Sequence, residues 1–183
     1  MVNDPQHKRI VVTAHPNLGA FIELVKYDPS NPAPINYKAI GMQEMHKQTQ
    51  SDFKGQKAAN RLNFIEYLQE GERSERTLYL PTISGWQSSK FFDKTVFVSF
   101  DDHDPNVLYG QIFLPTAPIM QADGQTQTAA LFRLADSKEG EDTNLNVHEN
   151  LVVTLEIELN VNVEKAVQSF ADRNGRGSKK IKI

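Results

Sequence analysis

The stretch Leu151-Val152-Val153-Thr154-Leu155-Glu156-Ile157-Glu158-Leu159 decides the fold class. Val153, Leu155, Ile157 and Leu159 alternate with Thr154, Glu156 and Glu158, the period-2 pattern of a half-exposed strand. Val163 to Phe170 follows with the spacing of a helix. Upstream, Pro118 to Gln121 predicts a short buried strand. Gln125 to Ala135 predicts a helix with Ala130, Leu131, Leu134 and Ala135 on one stripe. Strand, helix, strand, helix in succession predicts a single α/β (α+β) domain, a mixed sheet with flanking helices.

Further toward the N-terminus, Lys54 to Gln69 predicts another helix, with Ala58, Leu62, Ile65 and Leu68 recurring at helical spacing and Gly71 as its stop. Arg61, Glu66 and Glu70 would lie on its solvated side. Arg9 to Ala14 is rich in β-branched residues and predicts a strand. Ala20 to Lys26 reads as a second strand, joined to the first by a hairpin turn at Pro16, Asn17 and Gly19. Asp28 to Asn36 holds three prolines and reads as a loop. Thr77 to Ser84 reads as extended, broken by Pro81. Val96 to Phe100 and Leu108 to Leu114 predict a hairpin with a polar tip at Asp101 to Asn106. Ser137 to Asn150 is polar and acidic, a loop. There is no internal repeat. The expected division is one domain over residues 1–172 and a basic tail over 173–183.

The chain has 183 residues, 39% of them hydrophobic, enough for one core. Cysteine is absent, which excludes disulfides, thiolate-bound zinc and a cysteine nucleophile. No apolar run reaches the length of a membrane-spanning helix. Met1 to Pro5 lacks the apolar core of a signal peptide, so a cytoplasmic location is the expectation. The formal charge of -3 argues against an evenly basic coat and confines any nucleic-acid contact to a local patch.

The stretch with the most specific chemistry is Gln121-Ala122-Asp123-Gly124-Gln125-Thr126-Gln127-Thr128-Ala129-Ala130-Leu131. A strand runs into an Asp-Gly turn and a helix starts at once. Asp123 suits the helix cap, and Gly124 permits a sharp turn or close approach to a ligand. The first-turn N–H groups favour an anion such as a phosphate, with Gln125, Thr126 and Gln127 beside it. Such turns are common, so the spacing also describes a capped turn with no ligand.

Asp123 to Ala130 resembles the signature of the DGQHR-domain proteins, best known from the DndB family of DNA sulfur modification (phosphorothioation). Arg61 to Glu70, Tyr79 to Ser84 and Phe170-Ala171-Asp172-Arg173-Asn174 resemble further segments of that family in the same order. The resemblance spans about residues 55 to 176. One departure is plain: the family's usual His-Arg after Asp-Gly-Gln is Thr126-Gln127 here, which removes a fixed charge and a bidentate fork. Family members typically continue beyond Asn174, so the chain is either a short member or lacks a C-terminal part. The wider fold relatives are ParB-like and sulfiredoxin-like domains, which place a nucleotide phosphate at a similar turn. Sulfiredoxin chemistry itself needs a cysteine that is missing.

The resemblance implies a DNA-associated regulatory or accessory protein of a defence system, acting as a transcriptional repressor of the modification genes. It names DNA, a nucleotide as the one cofactor candidate, and proteins of the modification system as partners. A ParB-like nucleotide-binding or nucleotide-hydrolysing enzyme is one alternative; a protein-interaction module is another. Trp86, in Gly85-Trp86-Gln87-Ser88-Ser89 after the extended segment, is the only tryptophan and a candidate for stacking a base, or else a partly buried loop anchor. Arg173, Asn174, Arg176, Lys179 and Lys180 form a candidate phosphate-tracking patch, or else a solvated end. Asp101-Asp102-His103-Asp104 invites a hard cation but suits a solvated hairpin tip better, and no metal site is assigned. No Gly-x-Ser-x-Gly and no Walker loop is present, and no catalytic residue is assigned.

Overall fold

The computed structural model describes residues 1–4, 9–31, 53–74, 77–100, 108–136 and 151–175. Its centre is β7 (Leu155–Val161). This strand pairs antiparallel with β2 (Arg9–Ala14) on one side and parallel with β3 (Ile83–Ser88) on the other. β1 (Val2–Asp4) continues the sheet beyond β2, and β6 (Met120–Asp123) beyond β3. The sheet is therefore mixed, five-stranded, in the order β1-β2-β7-β3-β6. Helices lie on both of its faces in one domain, as the strand–helix alternation predicts.

The alternation along β7 sets the faces. Leu155, Ile157 and Leu159 are buried on the side that also takes Val12, Ile83, Leu18, Phe21, Leu68, Leu131 and Leu134. That side is covered by α1 (Leu18–Val25), α2 (Gln56–Arg73) and α3 (Gln125–Asp136). The opposite side buries Trp86, Met120 and Val161 under Ala166 of α4 (Val163–Gly175). Because both faces are covered, Glu158 is buried with its face, where simple alternation predicts exposure. Arg9 answers its charge at 3.1 Å.

A second, two-stranded sheet pairs β4 (Val96–Ser99) with β5 (Gly110–Phe113), the hairpin read from the sequence. A 3-10 turn, Ser89–Lys94, leads into it from β3. The Met1 amine donates to the Leu108 carbonyl at 2.6 Å and the Leu108 N–H donates to the Met1 carbonyl at 2.8 Å, joining this ribbon to the chain before β1. The hairpin tip and the acidic loop after α3 lie outside the described residues.

Four sequence expectations are corrected. Ala20 to Lys26 is not a strand but most of α1, so there is no hairpin at Pro16–Gly19. Asn17 caps the helix, its Oδ1 accepting the Ala20 N–H at 2.9 Å, and Lys26 closes it at φ 63°. A short apolar run fits either period; the spacing of Leu18, Phe21 and Val25 and the cap decide for helix. α2 does not stop at Gly71 but runs to Arg73. Gly71 is buried, and a Cβ there would overlap Leu78. Leu62 is exposed, since the buried side of α2 is centred on Ile65 and Leu68. Gly85 to Ser88 is strand β3, not a segment following one.

Asn17→Ala should lower stability by about 1 kcal/mol through the lost cap, read by denaturant unfolding; no change would contradict the α1 assignment. Leu155→Asp should cost several kcal/mol, because it places a carboxylate between the sheet and α1–α3. An unaltered unfolding midpoint in that variant would refute the assignment of faces.

Candidate phosphate-binding turn

β6 ends at the exposed Asp123, and α3 begins two residues later. Between them Gly124 is buried at φ +90°, a conformation that side chains rarely adopt. A Cβ at this position would also lie 3.0 Å from Ile83 Cγ1. Glycine is thus required twice, for the dihedral and for the close approach to β3.

Gly124, not Asp123, is the capping residue: its carbonyl accepts the first helical bond, from the Thr128 N–H at 2.9 Å. Asp123 stands one position earlier, and its Oδ1 accepts the Gly124 N–H at 2.7 Å. The reason is the length of β6, which extends through Asp123 and leaves only Gly124 for the turn. The first intrahelical bond of α3 is thus made by the Thr128 N–H, and the N–H groups of the turn before it point to the helix N-terminus. All three side chains are half-buried.

The charge that the sequence lacks at this turn comes from α2. Lys57, in that helix's first turn, donates from Nζ to Gln125 Oε1 at 2.7 Å. Burial lowers its ammonium pKa below the ordinary 10.5, and the Asp123 carboxylate acts in the opposite direction. One helical turn on, Arg61 donates from a terminal guanidinium nitrogen to Ser30 Oγ at 2.9 Å. Ser30 is in turn fixed by Asp28, whose carboxylate accepts both its N–H and its hydroxyl. Arg61 Nε is buried without a hydrogen-bond partner among the described residues. Two helix N-termini, a desolvated lysine and an acidic neighbour thus meet at one turn. Such an arrangement can hold an anion through backbone N–H groups and one ammonium.

Lys57 and Arg61 were not legible as site residues, because polar residues at a helix start read as solvated. A signal was present nonetheless. α2 has no acidic residue in its first turn and carries a lysine there, the charge that the helix dipole disfavours. Such a break with local preference is what functional or strained positions are expected to show.

The remaining candidates are not gathered here. Trp86 is fully buried beneath α4 between Met120 and Val161, so it presents no ring face to a base. Arg173 belongs to the last turn of α4, not to a tail, and pairs with Glu156 at 3.6 Å on the face opposite α3. Asn174 also falls within α4. Arg176, Lys179 and Lys180 lie outside the described residues, as does Asp101 to Asp104. Arg173 borders a groove of about 720 Å³ with Arg9, Lys165, Glu158, Glu164 and Asp172. Its three cations and three carboxylates cancel, so the groove has no excess of positive charge for a phosphate backbone. Among the described residues no group of three or more His, Asp or Glu could hold a metal ion, and no helix is long and apolar enough to cross a membrane.

Gly124→Val should destabilise by roughly 1–3 kcal/mol from the dihedral alone, and by more through the contact with Ile83, whereas Asp123→Ala should cost less. Equal, negligible losses in both would show that the turn is not the strained element described. The lowered pKa of Lys57 means that the unfolded chain holds more protons just below pH 10.5, so stability should rise with pH through that window. Lys57→Met should abolish this rise in a pH series of unfolding curves.

No protein-family model matches the chain, and neither a curated protein nor a solved structure matches it.

Proposed function

We propose that this chain is a phosphate-binding, DNA-associated regulatory or accessory domain, of the kind that the DGQHR/DndB-like resemblance implies. Asp123, Gly124, Gln125, Thr126 and Gln127 form its anion-facing turn. The observation that carries the reading is Lys57 Nζ at 2.7 Å from Gln125 Oε1, beside the α3 N-terminus. The family's usual arginine is missing at Gln127, and a cation from α2 stands at the same turn in its stead. Gln125 positions the ammonium, Asp123 helps to keep it charged, and Gly124 brings the backbone N–H groups within reach. Arg61 extends positive charge along the same helix.

A second reading is favoured by the charge distribution. Arg9 and Arg173 are engaged by Glu158 and Glu156, so among the described residues the turn is a compact site and not part of a long basic track. A nucleotide, as in ParB-like domains, satisfies a compact site as well as a DNA phosphate does.

Calorimetry with duplex DNA and with nucleoside triphosphates, at two salt concentrations, separates these readings. DNA binding should weaken with salt, and Lys57→Met should flatten the slope of log K against log salt by about 0.9. Gln127→Arg should raise affinity, since arginine adds a fixed charge and a planar fork. Affinity should fall as pH rises through the lowered pKa of Lys57, because only the ammonium attracts an anion; Lys57→Arg should remove that fall. Nucleotide binding without DNA binding would select the second reading. Failure of wild type and Gln127→Arg to bind either ligand would refute both.

A further inference from the structure

Among the described residues no strand lies beyond the outer edge of β6. The Ile119 N–H donates instead to the Leu24 carbonyl of α1 at 3.1 Å, and the Gln121 N–H to the hydroxyl of the buried Tyr27 at 3.2 Å. Three residues further along the chain, Ser30 Oγ accepts from Arg61 of α2 at 2.9 Å. Tyr27 to Ser30 therefore joins the strand that leads into the Gly124 turn to the helix that carries Lys57. This strap is stiff. Asp28 Oδ1 accepts the Ser30 N–H at 2.7 Å, the Asp28 carbonyl accepts the Asn31 N–H at 3.0 Å, and Pro29 between them has its φ fixed by its ring. The Ser30 hydroxyl donates to the Asp28 carboxylate, which leaves its oxygen to accept from Arg61.

We infer that Ser30 is a positioning residue of the turn: through Arg61 it sets the start of α2 at the height where Lys57 Nζ reaches Gln125 Oε1. The burial along α2 gives the reason. No residue from 56 to 64 is buried, and the first that is buried is Ile65. Core packing thus anchors the later part of the helix, whereas the turns that carry Lys57 depend on contacts nearer their own end. Arg61 supplies one. It stands one helical turn from Lys57 on the same face, and the Phe53 ring, just ahead of the helix, lies 5.7 Å from its guanidinium carbon. Ser30 fixes that guanidinium to the strap, and Tyr27 fixes the strap to β6. Both sides of the turn are thereby referred to one short segment of chain. The geometry rests on these hydrogen bonds; the consequence, control of anion affinity from the loop after α1, rests on the reading of the turn as a phosphate site.

Titration of the Lys57 ammonium by nuclear magnetic resonance in variants of the full chain tests it. In Ser30→Ala the Lys57 pKa should rise toward 10.5, because an ammonium released from the turn regains water, and the Gln125 side-chain amide signals should shift. Ser30→Thr keeps the hydroxyl and should restore the wild-type values. Arg61→Met should move Lys57 by itself, and adding Ser30→Ala to it should cause no further shift, since groups that act in series are not additive. Affinity for inorganic phosphate should fall in Ser30→Ala and return in Ser30→Thr. A loss of stability with Lys57 unmoved, a Ser30→Thr protein that behaves like Ser30→Ala, or a further shift in the Arg61→Met background would overturn the inference. If Lys57 moves as stated but wild type binds no phosphate, the positioning role of Ser30 is upheld and the phosphate-site reading falls.

Discussion

The structure depends on β7 being buried from both sides. A strand between an antiparallel and a parallel neighbour has no free edge, and its two faces must each find cover. On one face Leu155, Ile157 and Leu159 organise α1, α2 and α3 into a single layer. On the other, Glu156 and Glu158 require cations, which Arg9 and Arg173 supply at the margin of α4. The same constraint determines where chemistry can occur. α2 and α3 are pressed side by side against one face, and their N-termini come together at the end of β6.

That convergence explains why a turn without a cation of its own acquires one. A lysine at the start of an isolated helix is unfavourable, and its partial burial adds a cost. On the reading proposed here both costs would be offset by a bound anion, which would supply the ammonium with a counter-charge next to the α3 N-terminus. Asp123 holds part of that role from the rim of the site. Arg61, one turn further along α2, is held by Ser30 and lies over the Phe53 ring, while its Nε has no hydrogen-bond partner among the described residues.

The sequence made the strand–helix alternation legible from Pro118 onward, because β7 and α3 carry clean periods and Gly124 marks a turn that only glycine fits. It also exposed the β4–β5 hairpin, through two apolar runs around a polar tip. Ala20 to Lys26 reads as a strand because its five apolar or small residues around one Glu fit a strand as well as two turns of helix, and the cap at Asn17 resembles a turn residue. Trp86 illustrates the other limit. Its neighbours Gly85, Gln87 and Ser88 suggest a polar loop, but all of β3 is buried because strands pair on both of its edges and helices cover its faces. The identity of Asp123 to Gln127 was visible in the chain; Lys57 was not, since sixty-odd residues separate it from the turn and only tertiary structure joins them.

The most direct test of the central claim is the titration of the Lys57 ammonium by nuclear magnetic resonance, with and without inorganic phosphate. The account predicts a pKa below 10.5 in the free protein, a rise when phosphate is added, and accompanying shifts of the Gly124 to Gln127 amide signals. A Lys57 pKa that does not move with phosphate, together with unmoved amide signals at the turn, would contradict it.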